Sequence, residues 1–267
     1  MNHLPLFFLT DFGIKDIYVG VMKSVVLSLG HRAPVVDLSH GIPPQDVHAA
    51  ALALEDALPY LPEECVVCAV VDPGVGTSRR AIAARCGGRM FIAPDNGLLT
   101  PVYTLGDYML REISPGGPVA PQRSATFHGR DVFAPAAALL ATHARPWELI
   151  GPKVYFPHRL NAPTPSRTAE GGIEMIIVAT DHFGNMTTNL RRSQIPAGID
   201  LKAGKFRIGT RSLGRLRHTF DDVEEGSPVV YFNSSDRLEI GISMGNAALH
   251  FGAGKGAKVL FAHGVGK

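Results

Sequence analysis

The chain has 267 residues, room for one large domain or two modest ones, and its 45% hydrophobic to 19% charged balance is that of a core-forming globular protein. A net charge of +2 gives no reason to expect a nucleic-acid partner, and no apolar run is long enough to span a bilayer. Three cysteines suit a reducing compartment, and Met1–Pro5 lacks the basic-then-apolar pattern of a signal peptide, so a cytoplasmic location is expected.

Leu4–Thr10 is an apolar run of strand character that ends in Thr10-Asp-Phe-Gly-Ile-Lys-Asp16. A helix is predicted over roughly Asp16–Leu29, with Val19, Met22, Val25, Val26 and Leu29 on one stripe and Asp16 as its cap. Pro34–Leu38 reads as a second strand. After Pro43-Pro44, Asp46 opens a helix through Ala57, with Val47, Ala50, Ala51, Leu54 and Leu58 facing inward.

Cys65–Val71 is a short, β-branched run closed by Pro and Gly, the pattern of a buried strand. On a strand Cys65 and Cys68 point to opposite faces, so they read as buried apolar cysteines rather than a redox or zinc pair. Ala81–Arg85 and Arg89–Ala93 form a predicted hairpin around Gly87-Gly88, and Pro94-Asp-Asn-Gly opens a turn. Tyr108–Ile113 reads as a strand and the Ala-rich Asp131–Thr142 as a helix with Asp131 as cap.

Alternation of strands and helices over residues 1–160 implies an α/β sandwich around a mainly parallel sheet. Residues 161–172, rich in Pro, Thr and Gly, read as a linker. Beyond it, Ile173–Thr180, Lys205–Gly209, Pro228–Phe232, Leu238–Ile242 and Ala257–Phe261 are short strands between Gly, Asn and Asp turns. No long helix is evident there, so residues 173–267 are expected to form a smaller all-β barrel.

Four turn segments carry candidate chemistry. Asp11 and Asp16 flank the turn after the first strand, where acids can accept hydrogen bonds from a ribose diol, hold a metal or cap a helix. Asp72 follows the third strand; Pro73, Gly74 and Gly76 allow the chain to fold back and bring Arg79 within reach. That arrangement suits a ligand crevice as well as an ordinary strand exit with a surface arginine. His128 lies in a Gly-flanked loop before a helix, either in a site or solvated. Asp181-His-Phe-Gly-Asn185 can read a purine edge and an amine, or serve as a polar hairpin turn.

Taken together, the segments TDFGIKD (Thr10–Asp16), VVDPGVGTSRR (Val70–Arg80), APDNGLLT (Ala93–Thr100), TFHGRDVFAPAAA (Thr126–Ala138), DHFGNMTTN (Asp181–Asn189) and the NSS and GNAA pair (Asn233–Ala248) resemble the S-adenosyl-L-methionine hydroxide adenosyltransferases, relatives of fluorinase and chlorinase. The motifs occur in the family's order across almost the whole chain. The resemblance implies an α/β domain joined to a β domain, in a homotrimer whose ligand lies between the first domain of one subunit and the second of its neighbour.

It also implies an enzyme in which water or hydroxide attacks the 5′ carbon of S-adenosylmethionine to give adenosine and L-methionine, with no cofactor and no metal. The Asp, Arg and His that mark the water-using branch fall on Asp72, Arg79 and His128. Asp11 matches the residue that binds the ribose hydroxyls, and Asp16 and Asp181 match contacts to the methionine end. Phe183 and Asn185 match positions around the nucleoside, Ser234, Asn246 and Ala247 match the second-domain wall, and Phe127 is also expected among the substrate-binding residues. Gln45 stands where the fluorinase has a tryptophan near the ribose, and Ser235 where it has an arginine near the substrate carboxylate.

The residues alone leave open which of Asp72 and His128 accepts the proton. They also admit a metal-dependent phosphohydrolase using Asp11, Asp16 and His128, or a nucleoside-binding protein without catalysis. The D-F-G triplet lacks the other kinase segments, and no G-x-G-x-G loop follows the first strand as a methyltransferase would require.

Overall fold

A computed structural model describes residues 3–114, 124–142 and 147–263 of the chain. The chain divides into two compact units, Met1–Asn161 and Ala162–Lys267. The first unit runs β1 (Leu6–Thr10), α1 (Tyr18–Ser28), β2 (Val35–Ser39), α2 (Val47–Ala57), β3 (Cys65–Val70), β4 (Ala81–Cys86), β5 (Arg89–Pro94), β6 (Tyr108–Glu112) and α3 (Ala134–Ala141).

Its sheet has the order β2-β1-β3-β5-β4-β6. The four strands β2, β1, β3 and β5 are parallel, and β4 pairs antiparallel with both β5 and β6. Every residue of β3 is buried, as a central strand covered on both faces must be. Leu6, Phe8, Val66, Cys68 and Val70 pack on one face with Met22 and Val26 of α1 and the alanines of α3. Leu9, Val67, Ala69 and Val71 pack on the other face with Ala50 and Leu54 of α2. Cys65 and Cys68 are accordingly free thiols on opposite faces.

The chain leaves β1 for β2 on one side and returns to β3 on the other. Strand order therefore reverses between β1 and β3, and ligands of open α/β sheets lie beyond the carboxyl ends at such a reversal. Thr10-Asp11 and Val71-Asp72 stand at those ends.

Three helix starts show how local rules fare. Asp46 caps α2 as expected, its Oδ1 accepting the Ala49 N–H at 2.9 Å. Asp16 does not cap α1; Ile17 occupies that position with no side-chain cap, and Asp16 lies exposed before it. The helix expected from Asp131 starts earlier, with His128 at the cap position and a π-type turn over Gly129–Phe133. Pro135 explains the widened turn, because it has no N–H to give and its ring crowds the carbonyl four residues back.

The second unit contains β7 (Ser166–Arg167), β8 (Ile173–Thr180), β9 (Met186–Arg191), β10 (Gly204–Ile208), β11 (Arg211–Gly214), β12 (Pro228–Phe232), β13 (Arg237–Ile242), α4 (Ala247–Phe251) and β14 (Lys258–His263). Its sheet runs β11-β10-β14-β8-β9-β13-β12, with β7 added on β8, so part of the stretch expected as a linker is paired strand. A bridge from Leu216 to Val230 nearly closes the sheet into a barrel, filled by Ile173, Met175, Ile177, Met186, Leu190, Phe206, Leu238, Ile240 and Phe261. No helix among the described residues is long and apolar enough to cross a membrane.

Candidate active site

The turn after β3 folds back as its glycines allow. Val75 N–H bonds to Asp72 O, Thr77 N–H to Gly74 O, and Thr77 Oγ1 to Gly74 O at 2.7 Å. Gly76 has φ +80°, and a Cβ there would stand 2.5 Å from Ala125 O, so a side chain is excluded. This fold brings Arg79 onto Asp72: Nε donates to Oδ1 at 2.8 Å and Nη2 donates to Oδ2, a two-point fork. The two side chains are 6% and 10% exposed for Asp72 and Arg79.

Arg79 Nη2 also lies 2.7 Å from His128 Nδ1. A guanidinium only donates, so Nδ1 accepts and the ring proton sits on Nε2. His128 is 4% exposed, not solvated. Its place follows from close packing: a Cβ on Gly129 would meet Phe127, Met22 and Phe12 at 3.0–3.1 Å. The Arg79 guanidinium carbon lies 5.2 Å from the Phe133 ring centroid. Arg79 Nη1 is buried with no hydrogen-bond partner among the described residues. Asp72, Arg79 and His128, 49 residues apart at the widest contact, thus form one connected cluster.

Asp11 sits at the neighbouring strand end, and its Oδ2 accepts the Gln45 N–H at 2.8 Å. Phe127 packs edge-on against Phe12 and Tyr18, with centroids 6.1 and 5.2 Å apart, and Arg130 lies over its ring at 5.4 Å. Phe12 and Tyr18 were not legible as site residues, since nothing in their spacing singles them out. The Arg80–Asp95 pair was also missed. It joins β4 and β5, and Asp95 Oδ1 accepts the His158 N–H at 2.8 Å. The ligand set Asp11, Asp16 and His128 is not assembled: among the described residues, no group of three or more His, Cys, Asp or Glu could hold a metal ion.

In the second unit Asp181 closes the β8–β9 turn on itself. Its Oδ1 accepts the Phe183 and Asn185 N–H groups at 2.9 and 2.8 Å, and Oδ2 accepts Asn185 Nδ2 at 2.9 Å. Phe183 is left exposed. Asn246 packs against Gly184 and caps α4 through Leu249 N–H at 2.8 Å. Ala247 is fully buried in the barrel core, backbone included.

Asp181, Phe183, Asn185 and Asn246 gather where β9 begins and β13 ends, as the Ile240–Met186 pairing requires. Ser234 lies in the β12–β13 turn at the other end of β13, about 20 Å away along the strand. The structure does not bring it to that group. Near it, the buried Glu239 accepts from Thr187 Oγ1 and Asn233 Nδ2 at 2.6 and 2.7 Å, and from the Tyr231 hydroxyl. Burial, with the Glu239 carboxylate, pushes the Tyr231 phenol far above its usual range.

Residues 6–151 match the SAM hydroxide adenosyltransferase N-terminal domain, and residues 175–260 match the C-terminal domain of the same family. An (R)-S-adenosyl-L-methionine hydrolase of Thermus thermophilus is 44% identical over 96% of this chain and 98% of its own. One from Salinispora arenicola is 38% identical over 90% and 91%. The crystal structure of an uncharacterized conserved protein from Thermotoga maritima superposes with a TM-score of 0.88 at 32% identity, covering 97% of this chain and all of that one.

Proposed function

This chain belongs to the SAM hydroxide adenosyltransferase family, and from that membership we propose that Asp72, Arg79 and His128 make water the nucleophile toward S-adenosylmethionine. The protein is an enzyme, an S-adenosylmethionine hydrolase. The observation that carries the proposed mechanism is Arg79. Its Nε and Nη2 are taken by Asp72 and His128, while Nη1 is buried and without a partner among the described residues. In this scheme Nη1 is the donor left over to stabilise the nascent hydroxide.

The chemistry sets the requirement. The sulfonium is a good leaving group and needs no acid, so the difficulty lies with the nucleophile. Lowering the pKa of water from about 15.7 to about 7 corresponds to roughly 12 kcal/mol. A guanidinium about 3 Å from nascent hydroxide contributes roughly 5 kcal/mol at an effective dielectric of about 20. The substrate's own sulfonium, at attack distance, adds a similar amount. The two cations together supply most of the requirement, and in-line alignment of oxygen, carbon and sulfur supplies the rest.

Asp72 is the proton acceptor in this scheme. His128 Nδ1 is occupied by Arg79 and Nε2 carries the ring proton, so the imidazole has no lone pair to offer water. Asp72 keeps a second lone pair on each oxygen after receiving Arg79. His128 then holds the guanidinium in its fork.

Asp11 and Phe127 bind the nucleoside in this reading, Asp16 and Asp181 the methionine end, and Phe183, Asn185 and Asn246 the remaining wall; Ser234, about 20 Å away along β13, and the buried Ala247 stand outside it. Adenosine and L-methionine as products, the R configuration at sulfur that the relatives' names specify, metal independence, a homotrimer and a cytoplasmic location belong to the same proposal. Turnover in oxygen-18 water tests the displacement. Label in the 5′ hydroxyl of adenosine is expected; adenosine without label there would end the proposal.

A further inference from the structure

The turn that carries Asp11 does not stand alone. In four consecutive residues it is held three times by the loop that follows β2. The Thr10 hydroxyl lies 2.8 Å from His40 Nδ1, the Gly13 N–H donates to His40 O at 2.8 Å, and Asp11 Oδ2 accepts from Gln45 N–H at 2.8 Å. Phe12 N–H donates to Thr10 Oγ1 at 3.2 Å, which leaves the hydroxyl both its proton and a second lone pair for His40, the direction following the ring's tautomer. Thr10 and His40 are 0% and 7% exposed.

The far side of the imidazole is braced as well. His40 Nε2 lies 3.0 Å from Asp37 Oδ1, off the line of a good hydrogen bond, and Lys23 Nζ lies 2.7 Å from Asp37 Oδ2. Burial raises the Asp37 pKa, but the Lys23 and His40 contacts outweigh it and hold the carboxyl below its ordinary value, charged beside the ring. Gln45 has φ +65°, a left-handed conformation uncommon for a residue with a side chain. That rotation aims its N–H at Asp11 Oδ2 and leaves Oδ1 without a partner among the described residues. Strain of this kind persists where surrounding contacts over-determine it.

We propose that His40 is a positioning residue for the reaction: through Thr10 and Gly13 it sets the direction in which Asp11 presents its open oxygen to the substrate's ribose hydroxyls. This rests on the reading of Asp11 as the ribose residue. His40 touches no substrate atom; it acts through the turn.

The test compares inhibition by adenosine and by 2′,3′-dideoxyadenosine, with kcat and KM for S-adenosylmethionine, in wild type, Asp11→Ala, His40→Ala and His40→Asn. Asp11→Ala removes the preference for adenosine if Asp11 binds the ribose. His40→Ala then reduces that preference about tenfold and raises KM while kcat changes little. His40→Asn, whose amide can accept from or donate to the Thr10 hydroxyl, recovers most of the loss. An unchanged preference in His40→Ala overturns the proposal, as does equal loss in the Ala and Asn variants. Should His40→Ala not fold, Thr10→Val removes the same bond and is read in its place. Should Asp11→Ala keep the preference, the ribose reading fails by itself. The carbon-13 resonance of the Asp11 carboxylate then decides: moved in His40→Ala and returned toward wild type in His40→Asn, it upholds positioning, and unmoved in His40→Ala it overturns it.

Discussion

Asp72 and Asp181 each stand just past the end of a strand, each followed by a glycine turn, yet their carboxylates meet different partners. Asp72 receives a side chain, Arg79, which in turn reaches a histidine 49 residues further on and keeps one nitrogen without a partner among the described residues. Asp181 receives the backbone of its own turn and the amide of Asn185. One carboxylate holds a guanidinium; the other holds a loop. Strand–Asp–turn–Gly is therefore a geometry and not yet a role.

The largest expected effect breaks the comparison at its reactive half. Arg79→Ala lowers kcat by at least 10²–10³, the usual loss on removing a preorganised donor to developing negative charge. Arg79→Lys restores little, because an ammonium cannot fork Asp72 while bridging to His128. Adenosine release is the readout and circular dichroism the control for folding; near wild-type turnover in either variant contradicts the assignment.

Next comes the scaffold half. Gly184 has φ +87°, and a Cβ there would stand 2.1–2.2 Å from the Asn246 side chain that caps α4. Gly184→Ala combines left-handed strain with a disturbed cap, roughly 2–3 kcal/mol, seen as a lower urea midpoint. Asp181→Ala leaves two turn N–H groups without their acceptor and costs about 1–2 kcal/mol. Its kcat stays within a few-fold of wild type while KM rises, so a collapse of kcat would erase the contrast with Asp72.

A smaller effect is expected from pH, in the first unit. Burial, reinforced by the stacked His3, lowers the His31 pKa below its ordinary 6.5. The folded state prefers the neutral ring, so this stability is present above pH 6.5 and is lost as pH falls below it. The thermal midpoint drops between about pH 7 and pH 5, and less so in His31→Gln. The smallest effect is expected from EDTA: activity unchanged, whereas loss restored by a divalent ion would contradict the metal-free scheme.

Where local physics decides, residues announce their structure. The Gly87-Gly88 hairpin, the Asp46 cap and the buried run ending at Asp72 need only turn chemistry and hydrophobic pattern. β9 was hidden because Thr187 and Asn189 dilute its apolar residues; Met186 and Leu190 still point into the barrel, and Thr187 is occupied by Glu239. β11 was hidden by brevity and polarity. Asp131 looked like a cap but accepts from Ser124 N–H at 2.7 Å and from Arg130, tying the approach loop instead.

By itself the sequence determined two successive patterns, α/β then all-β, and the segments whose order marks the family. It also supplied the acids, the cation and the imidazole at strand and helix ends, since glycine, proline and apolar periodicity act over a few residues. Only the tertiary structure decided which carboxylate meets a guanidinium, on which nitrogen His128 carries its proton, and that His40 braces the Asp11 turn. Those depend on chain segments brought together by the reversal of strand order between β1 and β3, and no local rule encodes distances between residues thirty to fifty positions apart.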